Sequence, residues 1–142
     1  MLVIFHGEVI DEELEAHISE ILKEKYATPE KTGLSVVCNN TSTSSLSYKA
    51  IFSAGKRMHR AKFRQNGRLA IVARSPVGFG LAKVYKVATE VDGLDETRVL
   101  RGPDLQRAIE WIGISELSSY ITEKIEQLEH TTAAAPPKPS GA

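Results

Sequence analysis

Short apolar, β-branched runs alternate along the chain with stretches in which apolar residues recur every three or four positions, a pattern that predicts strands alternating with helices. "LVIFHGEV" (residues 2–9) suits a pleated, half-buried surface and predicts the first strand. Asp11 then offers a helix cap, acidic residues occupy the turn where the helix dipole favours them, and Leu14, Ile18, Ile21 and Leu22 hold helical spacing towards Tyr26. "ATPEKTG" predicts a loop and "LSVVC" the second strand. The polar "NNTSTSS" is made of residues that close turns and cap helices, so a helix is expected from Ser44 or Ser45, with Leu46, Ala50, Ile51 and Ala54 on one side. It should end within "GKRMHRAKFRQNG", where Gly55 and Gly67 mark breaks.

"RLAIVA" is apolar at every position after its arginine, the signature of a strand buried on both faces inside a sheet. In "RSPVGFGLAK" Ser75 predicts a helix cap and Pro76 fits the first helical position, where a missing N–H costs nothing. Val77, Leu81, Val84, Tyr85 and Ala88 continue that helix to "VDGLDE". "TRVL" predicts a fourth strand, and "GPDLQRAIEWIG" a helix opened by Pro103 or Asp104 and closed by Gly113. Ile114, Leu117, Ile121, Ile125 and Leu128 then make a narrow apolar stripe on a last amphipathic helix, and "TTAAAPPKPSGA" predicts a disordered tail.

Composition narrows the class. The chain has 142 residues, 42% of them hydrophobic, enough for one globular domain. No apolar run is long enough to cross a bilayer, and the first apolar residues turn acidic too soon for a signal peptide, so no membrane span and a cytoplasmic location are expected. The single cysteine, Cys38, sits in an apolar strand and reads as a buried thiol. His6, His17, His59 and His130 fall on different elements with no metal-ligand spacing; no nucleophile elbow is present. The expectation is a non-catalytic protein with neither metal nor cofactor.

Net charge is zero, but its distribution is uneven: residues 31–89 hold eleven basic residues and no carboxylate, between two acidic flanks. Lys56, Arg57, Arg60, Lys62, Arg64, Arg68 and Arg74 are expected to lie together as a basic patch. Pairing with the chain's own acidic helices, docking of an acidic partner, or a nucleic-acid or anionic-lipid surface would each explain it. The first two are preferred: the overall charge is neutral, aromatics are few near the basic run, and no nucleic-acid motif is present. Arg74, Ser75, Gly78 and Gly80 also form a candidate anion site at a helix N-terminus. They lack the third glycine and acidic partner of a dinucleotide loop. "RSPVGFGLAK" is therefore read first as a strand-to-helix joint, with Gly80 letting the helix approach the sheet.

Three stretches taken in order carry a family likeness. "GEVIDEELEAHI", "GRLAIVARSPVGFGLAKVYKVATE" and "TRVLRGPDLQRAIEWIGI" resemble the SpoIIAA-like superfamily, which includes STAS domains, and its small bacterial members grouped with STAS and SEC14-type domains. The resemblance spans residues 1–114, leaving 115–130 as an added C-terminal helix and 131–142 as the tail. It implies an α/β fold with a mixed, mostly parallel sheet of four to five strands and helices packed on it. It also implies a regulatory or scaffolding module acting through a protein partner or a second copy of itself; the apolar stripe beyond residue 114 is expected to dock either on its own domain or on the same segment of a second copy, the homodimer being preferred. A binding module for a small anionic or lipid-like ligand is the alternative, from the SEC14-type relationship. In the anti-sigma-factor antagonists of this superfamily a serine at the start of one helix is phosphorylated; Ser44 or Ser45 occupies that place, without the family's neighbouring aspartate and glycine.

Overall fold

A computed structural model describes residues 1–23, 32–60, 67–89 and 96–134, with the backbone alone for 131–134. Four strands, β1 (Leu2–Phe5), β2 (Thr32–Val37), β3 (Arg68–Ala73) and β4 (Glu96–Arg101), form one sheet in the order β1-β2-β3-β4. Every pairing is parallel, so the expected mixed sheet is corrected to an all-parallel one. β1, β2 and β3 are each followed by a helix that returns the chain to the same end of the sheet before the next strand, which leaves no hairpin to reverse a strand.

The connecting helices are α1 (Asp11–Lys23), α2 (Tyr48–Arg60) and α3 (Pro76–Thr89). Strands added in one direction with crossovers of one hand place all three on the same face. That face carries Val3, Phe5, Ser35, Val37, Leu69 and Ile71, which lie beneath Leu14, Ile18, Ile51 and Leu81 of the helices. The opposite face presents Leu2, Ile4, Leu34, Val36, Cys38, Ala70 and Val72. It is covered by α4 (Leu105–Ile112) and α5 (Ser118–Ala134). A sheet covered on both faces explains why "RLAIVA" is apolar throughout: β3 lies between β2 and β4, and Leu69 to Ala73 are all buried.

Local signals account for most boundaries. A 3-10 turn over Gly102–Asp104 precedes α4, which ends at Gly113 in the left-handed conformation (φ 79°), a geometry glycine adopts without strain. A second 3-10 turn, Ser115–Leu117, leads into α5. Gly7 also has a positive φ of 68° where the chain leaves β1. There Ser42 donates its N–H to Gly7 O (2.8 Å) and Val9 donates to Ser42 O (2.9 Å), which carries the β1–β2 pairing past the strand ends.

Three expectations are corrected here. Neither Ser44 nor Ser45 caps α2: the helix starts at Tyr48, and Ser47 Oγ accepts the N–H of Ala50 at 3.0 Å. Ser47 is held in turn by Asp11, whose carboxylate accepts its backbone N–H (2.8 Å) and its hydroxyl (2.9 Å). The apolar stripe of the last helix is buried within the chain, with Ile121 (0% exposed) and Ile125 (2%) in the same core as Leu34, Val36 and Ile109. Of the two dockings expected for the stripe, the one on its own domain is seen in place of the preferred one on a second copy, and Leu117, counted in the stripe, is exposed. Helical backbone also continues to Ala134, past the expected start of the tail; residues 135–142 lie outside the described residues, as does the expected end of α1 near Tyr26.

Candidate functional site

The joint between β3 and α3 lies at the carboxyl end of the sheet, the end at which open parallel α/β sheets place their ligands. Arg74 N–H donates to Val37 O (2.9 Å), extending the ladder by one residue before the chain turns. Ser75 Oγ accepts the N–H of Gly78 at 3.1 Å, so the hydroxyl expected to cap the helix does so. Gly78 makes the close approach to the sheet: a Cβ there would lie 3.1 Å from Val37 Cγ1 and 3.0 Å from Ser75 Oγ. The role assigned to Gly80 is thereby corrected, since Gly80 is exposed and a Cβ there would have nothing within 4 Å.

An open cleft of about 480 Å³ lies beside this joint, bounded by Arg74, Ser75, Arg101 and Pro103. Its cations are engaged. Arg74 donates from Nε to Glu129 Oε2 (2.8 Å) and from Nη2 to Oε1 (3.3 Å), a two-point pair with α5. The Arg101 guanidinium stacks on the Phe79 ring at 3.9 Å. Glu129 also accepts the backbone N–H of Asn39 (2.7 Å), and Asn40 donates its amide to the carbonyls of Leu128 and Glu129. This clamp joins the ends of β2 and β3 to the C-terminal helix, and nothing in the spacing of Asn39, Arg74 and Glu129 announces it. Cys38 lies buried beside it; burial, then the nearby Glu129 carboxylate, push its thiol up to about 11 despite the opposing Arg74. Such a thiol stays protonated at neutral pH and is a poor nucleophile.

The expected basic patch is not one surface. Lys56, Arg57 and Arg60 lie on α2, and Lys62 and Arg64 lie outside the described residues. Arg68 and Arg74 sit at or just beyond opposite ends of β3. Arg68 is anchored to α4, donating to Trp111 O (2.9 Å) and packing over the indole ring together with Arg98. Arg57 donates to Ser19 Oγ on α1 at 3.1 Å.

What the fold does assemble is a cationic and aromatic outer face on α2. Lys49, Phe52 and Lys56 follow Tyr48 at helical spacing, Tyr48 is 68% and Phe52 43% exposed, and Lys56 Nζ lies 5.7 Å from the Phe52 ring centre. Arg60 extends the same exposed side. Among the described residues no ion pair joins this face to the carboxylates of α1, so pairing within the chain is seen for Arg74 and not for α2. On the adjoining α3, Val77 and Val87 are exposed and Lys83 covers Phe79 at 4.9 Å.

A third feature lies beneath the helices. Between the sheet and α1, α2 and α3 lies an apolar cavity of about 110 Å³. The backbone of α2 approaches those of α1 and α3 more closely than α1 or α2 approaches the strands, so α1 and α2 bridge over β1 and β2. His17 stands in the wall with its ring edge-on to Phe5, centres 5.5 Å apart.

Ser44 and Ser45, the expected phosphorylation positions, are both exposed; Ser42 and Ser44 hydroxyls lie 3.4 Å apart. Among the described residues no three of the histidine, cysteine, aspartate and glutamate side chains converge as metal ligands, and no helix is long and apolar enough to cross a membrane. The class this architecture defines is a three-layer α/β protein with a four-stranded parallel sheet. No family model, characterised protein or solved structure matches the chain.

Proposed function

We propose that the protein is a non-catalytic regulatory or scaffolding module that binds an acidic surface of a protein partner, a second copy included, through the outer face of α2 and the adjoining face of α3. The observation that carries this reading is the pair of exposed aromatics, Tyr48 and Phe52, set one helical turn apart among Lys49, Lys56 and Arg60 with no carboxylate on the helix. Exposed aromatics ringed by cations combine a buried anchor with electrostatic steering, the two components a protein interface uses for affinity and for partner choice. The resemblance to the SpoIIAA-like and STAS group supports the same class of function. The anionic-ligand alternative draws less support, because the Ser75 hydroxyl and the Arg74 and Arg101 guanidinium groups are all engaged within the chain.

Affinity isolation from the source organism with wild type, Phe52→Ala and Lys49→Glu/Arg60→Glu tests the reading, alongside sedimentation velocity at low and high salt. Arg57 is left intact because it holds α1. A stoichiometric protein, or a second copy, that binds wild type, weakens with salt and is lost from both variants is the expected result. Binding indifferent to the variants refutes this surface. Recovery on anionic phospholipid vesicles with no protein bound refutes the protein partner and assigns the face to a membrane surface.

A further inference from the structure

The cavity between the sheet and the bridging helices has a chemistry unlike that of the α2 face. Across the sheet the register places Ser35 between Val3 and Ile71, so one short side chain stands where its neighbours on either strand are branched. In the roof, Gly55 packs α2 tightly against α3: a Cβ on Gly55 would come within 2.6 Å of the Ala88 Cβ. Packed interiors hold few voids larger than a water molecule. This one, at about 110 Å³, falls just below the roughly 150 Å³ apolar cavities that stay dry yet take up benzene or xenon.

No aspartate, glutamate, lysine or arginine lines the cavity among the described residues. Its polar wall groups are few. They are Ser35, Thr41, Thr43, His17 and Tyr85, set among apolar side chains; Thr41 donates its hydroxyl to Phe5 O at 2.9 Å, and His17 is held edge-on against Phe5. A buried charge needs an opposite charge, and none lines this wall among the described residues, so an ion is not accommodated.

We propose that this cavity is a binding site for a small uncharged apolar molecule, of about the size of benzene. The inference is independent of the partner surface on α2, since uptake is read on the isolated protein and none of Tyr48, Phe52 or Lys56 lines the cavity.

Benzene is the probe, titrated into the full-length protein carrying isotope-labelled methyl groups, with benzoate as its charged counterpart. Saturable shifts of the Val3, Leu14, Val37 and Ile71 methyl resonances, and a benzene-dependent rise in unfolding temperature, are expected. Benzoate should produce neither at the same concentration. Ser35→Leu, which fills the cavity from the floor, should leave the methyl resonances remote from the cavity unchanged and lower benzene affinity at least tenfold. Ala82→Val, which fills it from the roof, provides the same test should Ser35→Leu fail to fold. No saturable shift in the wild type up to the solubility of benzene overturns the site. Benzoate binding as tightly as benzene overturns the uncharged class, and undiminished benzene binding in a folded filled variant overturns the location.

Discussion

Replacing Ile121 by alanine tests whether the C-terminal helix belongs to the core of its own chain. Ile121 is fully buried against the sheet face that carries Leu34, Val36 and Val72. The change removes three carbon atoms, each worth about 0.8 kcal/mol on burial, for a transfer loss of about 2.4 kcal/mol. The site is walled by strands and by α4, which cannot close on the gap, so a cavity cost brings the total to about 3–4 kcal/mol, within the usual range for such truncations. Chemical unfolding in urea, followed by far-ultraviolet circular dichroism, reads the loss directly. With a slope of about 1.5–2 kcal/mol/M, the midpoint should fall by about 2 M with the slope unchanged. Leu117→Ala, at an exposed position in the turn before α5, should cost no more than about 0.5 kcal/mol. A loss under about 1 kcal/mol at Ile121 would refute packing within the chain. So would a loss that scales with protein concentration and converts a dimer to a monomer, which would place the stripe on a second copy.

Other outcomes follow from single contacts. Ser47→Ala should lower stability by about 1 kcal/mol by removing the cap of α2, while Ser44→Ala and Ser45→Ala stay within about 0.5 kcal/mol of wild type in the same unfolding assay. Gly80→Ala should stabilise by about 0.5–1 kcal/mol, because the position is helical, exposed and open, whereas Gly55→Ala should destabilise by about 1–3 kcal/mol by driving α2 from α3; thermal unfolding of the two variants checks both signs. The Cys38 thiol, raised from its ordinary value of 9.0 to about 11, stays protonated in the folded chain while the unfolded chain releases its proton above pH 9. Folding stability should therefore be unaffected by this group below pH 9 and fall between pH 9 and 11, a loss that Cys38→Ala abolishes in a pH series of unfolding midpoints.

Periodicity alone carried the order of elements, because each amphipathic pattern reports which face of a helix or strand meets apolar neighbours. β3 was readable as an inner strand from "RLAIVA", the start of α3 from Ser75 and Pro76, and the end of α4 from Gly113, since capping and left-handed turns depend on one or two side chains. Where several residues could serve the same local purpose, the local signal ran out. Any serine of "TSTSSLS" can cap a helix, and the carboxylate of Asp11, distant in sequence, selects Ser47. The same limit applies to the glycines of "VGFG", where only the position of Val37 across the sheet separates the buried Gly78 from the exposed Gly80.

Charge and stripe patterns mark residues that need a partner without saying where the partner is. The basic run from Lys56 to Arg74 is contiguous in sequence, but β3 sends Arg68 and Arg74 to opposite ends of the sheet, one to Trp111 and the other to Glu129. The stripe of α5 required burial, and the sheet face left open by the three crossover helices supplied it within the chain. Ser35 is a single polar residue in an apolar strand until register sets it between Val3 and Ile71 beneath two bridging helices. Local pattern determined what each segment is, because secondary structure and capping act over a few residues; the tertiary structure decided which residues meet, because strand register and crossover direction bring together positions tens of residues apart.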